Sequence, residues 1–173
     1  MAPKMPGWST GVAVAGACAL AVAAVTISTA SATPWCTPDS LSLSTGPYAG
    51  PGDSSQIHFD VVFTNIAEQA CVLQGYPGVD LVGPDDPMWG PVYSLPRESG
   101  DPQPFTLEPG ASASSRLTFL PAPDGWVPTS IVVTPPDATT QLEVPWIPGG
   151  VAVLRQDGAT RPGTYIGPLE PTD

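Results

Sequence analysis

The chain has 173 residues, among them 16 Asp or Glu against 5 Lys or Arg, for a formal charge of −11 at pH 7. So acidic a chain is repelled by nucleic acid and by anionic membrane surfaces, and its length suits one domain with its own core. The 24 Pro and 18 Gly lie between strand-like apolar runs that carry four Phe, four Tyr and most of the five Trp, which reads as dense turns between short strands rather than disorder.

Residues 1–10 hold one cation, Lys4, and an apolar run from Val12 to Ile27 follows. Small residues, Ser28 to Thr33, then precede Pro34. This is the three-part layout of a secretory signal peptide. Ala30-Ser31-Ala32 places cleavage after Ala32, with Ala30 as the alternative. The run is short of the ~20 residues of a membrane helix, although the Ser, Thr and Ala beyond it could lengthen it into a retained anchor. A lipoprotein site at Ala15-Gly16-Ala17-Cys18 would leave most of the apolar run on the wrong side of the cysteine. Removal of residues 1–32 takes away Lys4 and no acidic residue. The expected location is therefore outside the cell or in its envelope, with a mature domain that does not span the membrane.

In the remainder, Ser40 to Ser44 alternates at period two, with Leu41 and Leu43 on one face. After a Gly/Pro loop, 45–55, Gln56 to Thr64 is the strongest strand. It turns Ile57, Phe59, Val61 and Phe63 inward and His58, Asp60 and Thr64 outward. Cys71 to Gln74 begins a returning strand. Gly75-Tyr76-Pro77-Gly78 is a corner, where a cis Tyr76–Pro77 bond would suit the tight turn and the glycines suit positive φ. The Tyr76 hydroxyl is expected to reach a backbone group.

Further strands are expected at 79–82, 92–95, 113–120, 130–134 and 141–146, the third with Ala113, Ser115, Leu117 and Phe119 on one face. Val151 to Leu154 reads as an edge strand. These add up to an all-β, immunoglobulin-like β-sandwich of about seven to nine short strands, the alternative being a small β-barrel. The expected domains are a signal peptide at 1–32, the sandwich at 33–154 and a Pro/Gly-rich tail at 155–173.

Past the signal segment two cysteines remain, Cys36 and Cys71, and an even pair in an exported chain reads as a disulfide. A redox pair would favour C-x-x-C spacing, and zinc needs more ligands than two Cys and one His. The Cys36 start with Leu41 and Leu43, Val61-Val62-Phe63-Thr64-Asn65, Cys71 through Val79, and Val133-Thr134-Pro135-Pro136 together resemble the actinobacterial secreted family called domain of unknown function 4232. The resemblance runs from about Cys36 to Trp146. It implies export and a β-sandwich, and it brings no catalytic or ligand residues.

Catalytic signatures are absent: His58 has no G-x-S-x-G partner, and no pair of carboxylates is placed for glycoside chemistry. Asp80, Asp85 and Asp86 lack the D-x-D-x-D-G calcium pattern, so no metal or cofactor is expected. Trp89 stands in the turn-rich loop Asp86-Pro87-Met88-Trp89-Gly90-Pro91. With Tyr93, Asp85 and Asp86 it forms the candidate binding surface, while Trp126 and Trp146 read as core or strand-end residues. The expected function is non-enzymatic binding of a protein or cell-envelope component. A secreted hydrolase using surface carboxylates and a purely structural envelope protein are the alternatives.

Overall fold

The computed structural model describes residues 1, 7, 32–48 and 55–172. Apart from residues 1, 7 and 32, the expected signal peptide lies outside the described residues, Ala30 included. All elements belong to the compact unit that begins at Ala32.

Eleven strands follow in order: β1 Leu41–Thr45, β2 Ile57–Asn65, β3 Cys71–Leu73, β4 Gly78–Val82, β5 Val92–Ser94, β6 Phe105–Leu107, β7 Ser112–Phe119, β8 Pro121–Trp126, β9 Ser130–Thr134, β10 Leu142–Pro145 and β11 Tyr165–Pro171. They form a β-sandwich of two four-stranded antiparallel sheets, ordered β1-β2-β7-β11 and β10-β9-β4-β5, with a small third sheet, β3-β6. No barrel closes.

The alternation of β2 governs the packing. Ile57, Phe59, Val61 and Phe63 are buried at every second position, and on β7 Ala113, Ser115, Leu117 and Phe119 are buried in the same way. Leu81, Ile131 and Val133 meet them from the second sheet within one core. Phe59, Phe119 and Trp146 pack edge to face, with centroids 5.3–6.2 Å apart. This geometry adds about 0.5–1.5 kcal/mol per pair beyond area burial. Trp146 is thus a core plug, and its Nε1 donates to Val151 O at 2.9 Å.

Two strands had little signal in the sequence. β8 is rich in proline and reads as loop; both its ends, Pro121 and Trp126, bridge Val153, which is itself an isolated bridge residue rather than part of a strand. β11 lies in the segment expected to be a tail. It is the outer strand of the first sheet, with Ile166 and Leu169 buried against β7. Its alternation is hidden because the register shifts between Ile166 and Leu169, where Gly167 and Pro168 stand. A bulge and a proline are both tolerated on an edge strand. The far side of β11 is covered by residues 96–98, where Glu98 N–H donates to Ile166 O and Ile166 N–H to Pro96 O. The same segment begins on the second sheet, with Leu95 N–H donating to Val79 O.

Cys36 and Cys71 form the disulfide, Cα atoms 4.8 Å apart, closing a 35-residue separation. In the chain-entropy account such a closure stabilises by about 4 kcal/mol. Around it Cys36 N–H donates to Val72 O and Val72 N–H to Pro34 O, so the chain ahead of β1 runs parallel to β3.

β2 ends on a polar residue in a core phase. Asn65 is only 1% exposed. Its Nδ2 donates to Gln69 O and Leu107 O, both at 2.9 Å, and its Oδ1 accepts from Ala67 N–H at 3.0 Å. Its backbone N–H donates to Ala111 O and its carbonyl accepts from Gly110 N–H. Buried polar atoms left without partners are costly, and here each group is used, which ties β2 to β6 and to both flanking turns. Asn65→Ala strands three of these partners and is expected to lower the unfolding free energy by about 3 kcal/mol. Urea denaturation with an unchanged m-value checks this; a loss under about 1 kcal/mol would contradict it.

Candidate functional site

The loop between β4 and β5 carries Trp89, and its shape follows from three local contacts. Gly83 N–H donates to Pro91 O at its base, at 2.9 Å. Higher up, Asp86 and Gly90 exchange backbone hydrogen bonds of 2.8 and 3.3 Å, with Gly90 at φ +73°. Inside that neck Asp86 Oδ1 accepts from Met88 N–H and Trp89 N–H, each at 2.9 Å. An aspartate bonding to backbone two and three residues on is a strong turn former. The result presents Met88 and Trp89 outward, 76% and 47% exposed.

The loop is braced from a distant part of the chain by Arg155. Its Nε and Nη2 form a two-pronged pair with Asp157 at 2.9 and 2.7 Å. Nη1 donates to Gly90 O at 2.6 Å, and Nη2 to Val92 O at 2.7 Å and Trp89 O at 3.3 Å. The guanidinium lies 4.7 Å from the Trp126 ring centroid and 5.4 Å from that of Tyr93. Its side chain is 4% exposed, so it is a buried cation with its donors spent on protein partners. The hydrogen bonds and charge of Asp157 hold its pKa above the ordinary arginine value. Trp126 in turn donates from Nε1 to Pro84 O at 2.8 Å. It lies so close to Gly83 that a Cβ there would stand 2.7 Å from the indole.

The sequence-predicted residues divide. Trp89 is exposed and Asp85 is exposed beside it. Asp86 serves the turn: the Met88 and Trp89 amides, in that order, hold its carboxyl below the ordinary value of 3.8, and Arg155 adds to the effect. Tyr93 is not on the surface. It is the one inward position of the three-residue β5 and is 2% exposed. Its hydroxyl accepts from Gln156 N–H at 3.3 Å, and burial raises its pKa above the ordinary tyrosine value.

At the corner Gly75 has φ +106° but Gly78 is a β4 residue outside that region. The Tyr76–Pro77 bond is trans. The Tyr76 hydroxyl is buried without a hydrogen-bond partner, and Gly100 packs so close that a Cβ there would stand 2.8 Å from it. Asp80 accepts from Ser94 Oγ across β4 and β5, at 2.5 Å, apart from the Asp86 turn. His58 Nδ1 lies 2.9 Å from Thr118 Oγ1 on the neighbouring strand. Asp60, Glu98 and Glu170 line a separate concavity with Arg116, whose Nε is 3.7 Å from Asp60 Oδ1 with both side chains exposed. Among the described residues no three His, Cys, Asp or Glu side chains converge as metal ligands.

Sequence reading missed Met88, Val92, Val127, Leu154 and Arg155. From Ala32 onward the described exposed large apolar side chains are Trp35, Ile66, Met88, Trp89, Val92, Val127 and Leu154. The last five lie on the Arg155-held loop or next to Trp126 or Arg155 in the chain. Val82 pairs with both Val92 and Ser130, so the Trp89 loop and the Trp126–Val127 approach to β9 meet at one end of the second sheet. The only earlier signal was Arg155 itself, one of two arginines in a Gly/Pro-rich segment.

Asp86 also makes a pH prediction. Its folded pKa is lowered, so its contribution is fully present above the unfolded value of 3.8 and disappears as pH falls through the lower, folded value. The amide protons of Met88 and Trp89 are expected to titrate in NMR spectra with a midpoint below 3.8, and Asp86→Ala abolishes that titration. A midpoint above 3.8 would remove the cap from the description.

The chain matches the family described as Domain of unknown function (DUF4232) over residues 36–165, and it belongs to that family. No curated protein and no solved structure matches it.

Proposed function

We propose that this is an exported, non-enzymatic binding domain that engages a protein or cell-envelope component through the face centred on Trp89. The observation that carries the reading is the combination of exposed apolar side chains, Met88, Trp89 and Val92, with a backbone held by Arg155 and Asp86. Flexible apolar loops lose entropy on binding; a braced one has met that cost during folding. Clustered exposed apolar residues with a central aromatic are the usual anatomy of an interaction site. Export is supported by the layout of residues 1–32 and by the Cys36–Cys71 bond, which persists in oxidising compartments. The hydrolase alternative needs a carboxyl held protonated as an acid. Beside Trp89 the shift runs the other way, because Asp86 is held ionised.

Mass spectrometry of protein recovered from the producing cell is expected to show an N-terminus at Thr33; a chain still beginning before residue 28 would contradict cleavage. With immobilised wild-type protein and detergent-extracted envelope as the partner source, Trp89→Ala is expected to lower retention of the bound component at least tenfold, about 1.4 kcal/mol. The melting temperature should not change. Equal retention by the variant would remove this face from the proposal.

A further inference from the structure

We infer that the partner of the Trp89 face is a basic segment of another protein, anchored by an apolar side chain; this rests on the binding reading above. The charge pattern and the relief of the face carry it. Arg155, the cation that braces the loop, has a side chain only 4% exposed, paired with Asp157 and donating to three carbonyl oxygens, so little of its charge faces outward. The exposed carboxylates Asp85 and Asp124 each stand three residues ahead of an exposed apolar residue, Met88 and Val127. Around them the whole chain carries −11. A face of this sign steers cationic segments inward and repels nucleic acid, anionic lipid and a second copy of the same chain.

The relief fits an anchored segment. Met88 and Trp89 project from the loop, and a concavity of about 330 Å³ opens beside Val127, lined by Pro121, Ala122, Pro123, Gly125 and Val151 among others. These walls carry no charged side chain, so the concavity suits an aliphatic or aromatic residue of the partner. The exposed Trp89 ring offers its face to a Lys or Arg alongside, a contact that strengthens as the pair loses water.

The test uses the full chain and two synthetic amphipathic peptides of identical leucine and tryptophan pattern, one with lysine and one with glutamate at the polar positions. Binding is followed by calorimetry at about 0.02 M and about 0.3 M salt, which bracket strong and weak screening. The lysine peptide is expected to bind and to weaken at least tenfold across that range. Trp89→Ala should weaken it at least tenfold at either salt. The double variant Asp85→Asn, Asp124→Asn should still bind but with a smaller salt dependence than wild type, with an unchanged circular dichroism spectrum.

If the glutamate peptide binds as tightly, or salt has no effect while Trp89→Ala still abolishes binding, the basic partner is overturned and the binding face stands. If Trp89→Ala leaves lysine-peptide binding unchanged, the face itself is overturned. Failure of both peptides to bind overturns the inference. So does a dimer in sedimentation that Trp89→Ala dissolves, which would assign the face to a second copy.

Discussion

Everything in the sandwich depends on the strict two-residue rhythm of β2. A strand buries one side only when every second residue is apolar, and a slip of one position would turn that whole set into solvent. Ile57, Phe59, Val61 and Phe63 hold the register against β7 on one side and β1 on the other. The rhythm does not stop at its last apolar member. Asn65 keeps the same phase, and its amide replaces packing with hydrogen bonds to β6 and the flanking turns. A single alternation therefore sets the core, places the third sheet and leaves the disulfide strand next to Cys36.

Arg155 does for the loops what β2 does for the sheets. It joins the Trp89 loop to the Trp126 strand end and the stretch before β11, two segments that are themselves bridged at Val153. A buried guanidinium is worth having only where its charge and donors all find partners. Asp157 supplies the charge and three carbonyls near β5 supply the acceptors. The bond to Val92 O also covers a carbonyl on β5, the outer strand of its sheet, where an unpaired strand would invite another chain.

How much of this was legible in the sequence follows from the range of the interactions. β2, β7, β9 and the Cys36–Cys71 pair were readable because alternation and cysteine parity are local signals. The inward turn of Tyr93 was not, since a three-residue strand has too few positions to show a phase. β8 and β11 were hidden by Pro and Gly, which mark loops in isolation but are accommodated at edges and bulges. Trp89 was legible as a turn residue. Its brace was not, because nothing near Arg155 in the chain announces Gly90, Val92 or Trp126, more than twenty-five residues away in each case. Long-range polar contacts leave no periodic trace.

The position of β11 has a consequence in time. β7 sits in the middle of its sheet, yet its outer neighbour is made from residues 165–171. A chain emerging from its N-terminal side, whether from a ribosome or through a membrane pore, must keep that flank of β7 unmatched until the last strand appears. Pairings so distant in sequence are closed slowly, because the entropy of the long loop is lost before any contact compensates for it. Arg155 lies in the stretch that leads into this final strand. The Arg155 brace on the Trp89 loop is therefore added late, after the loop's own local turn can form.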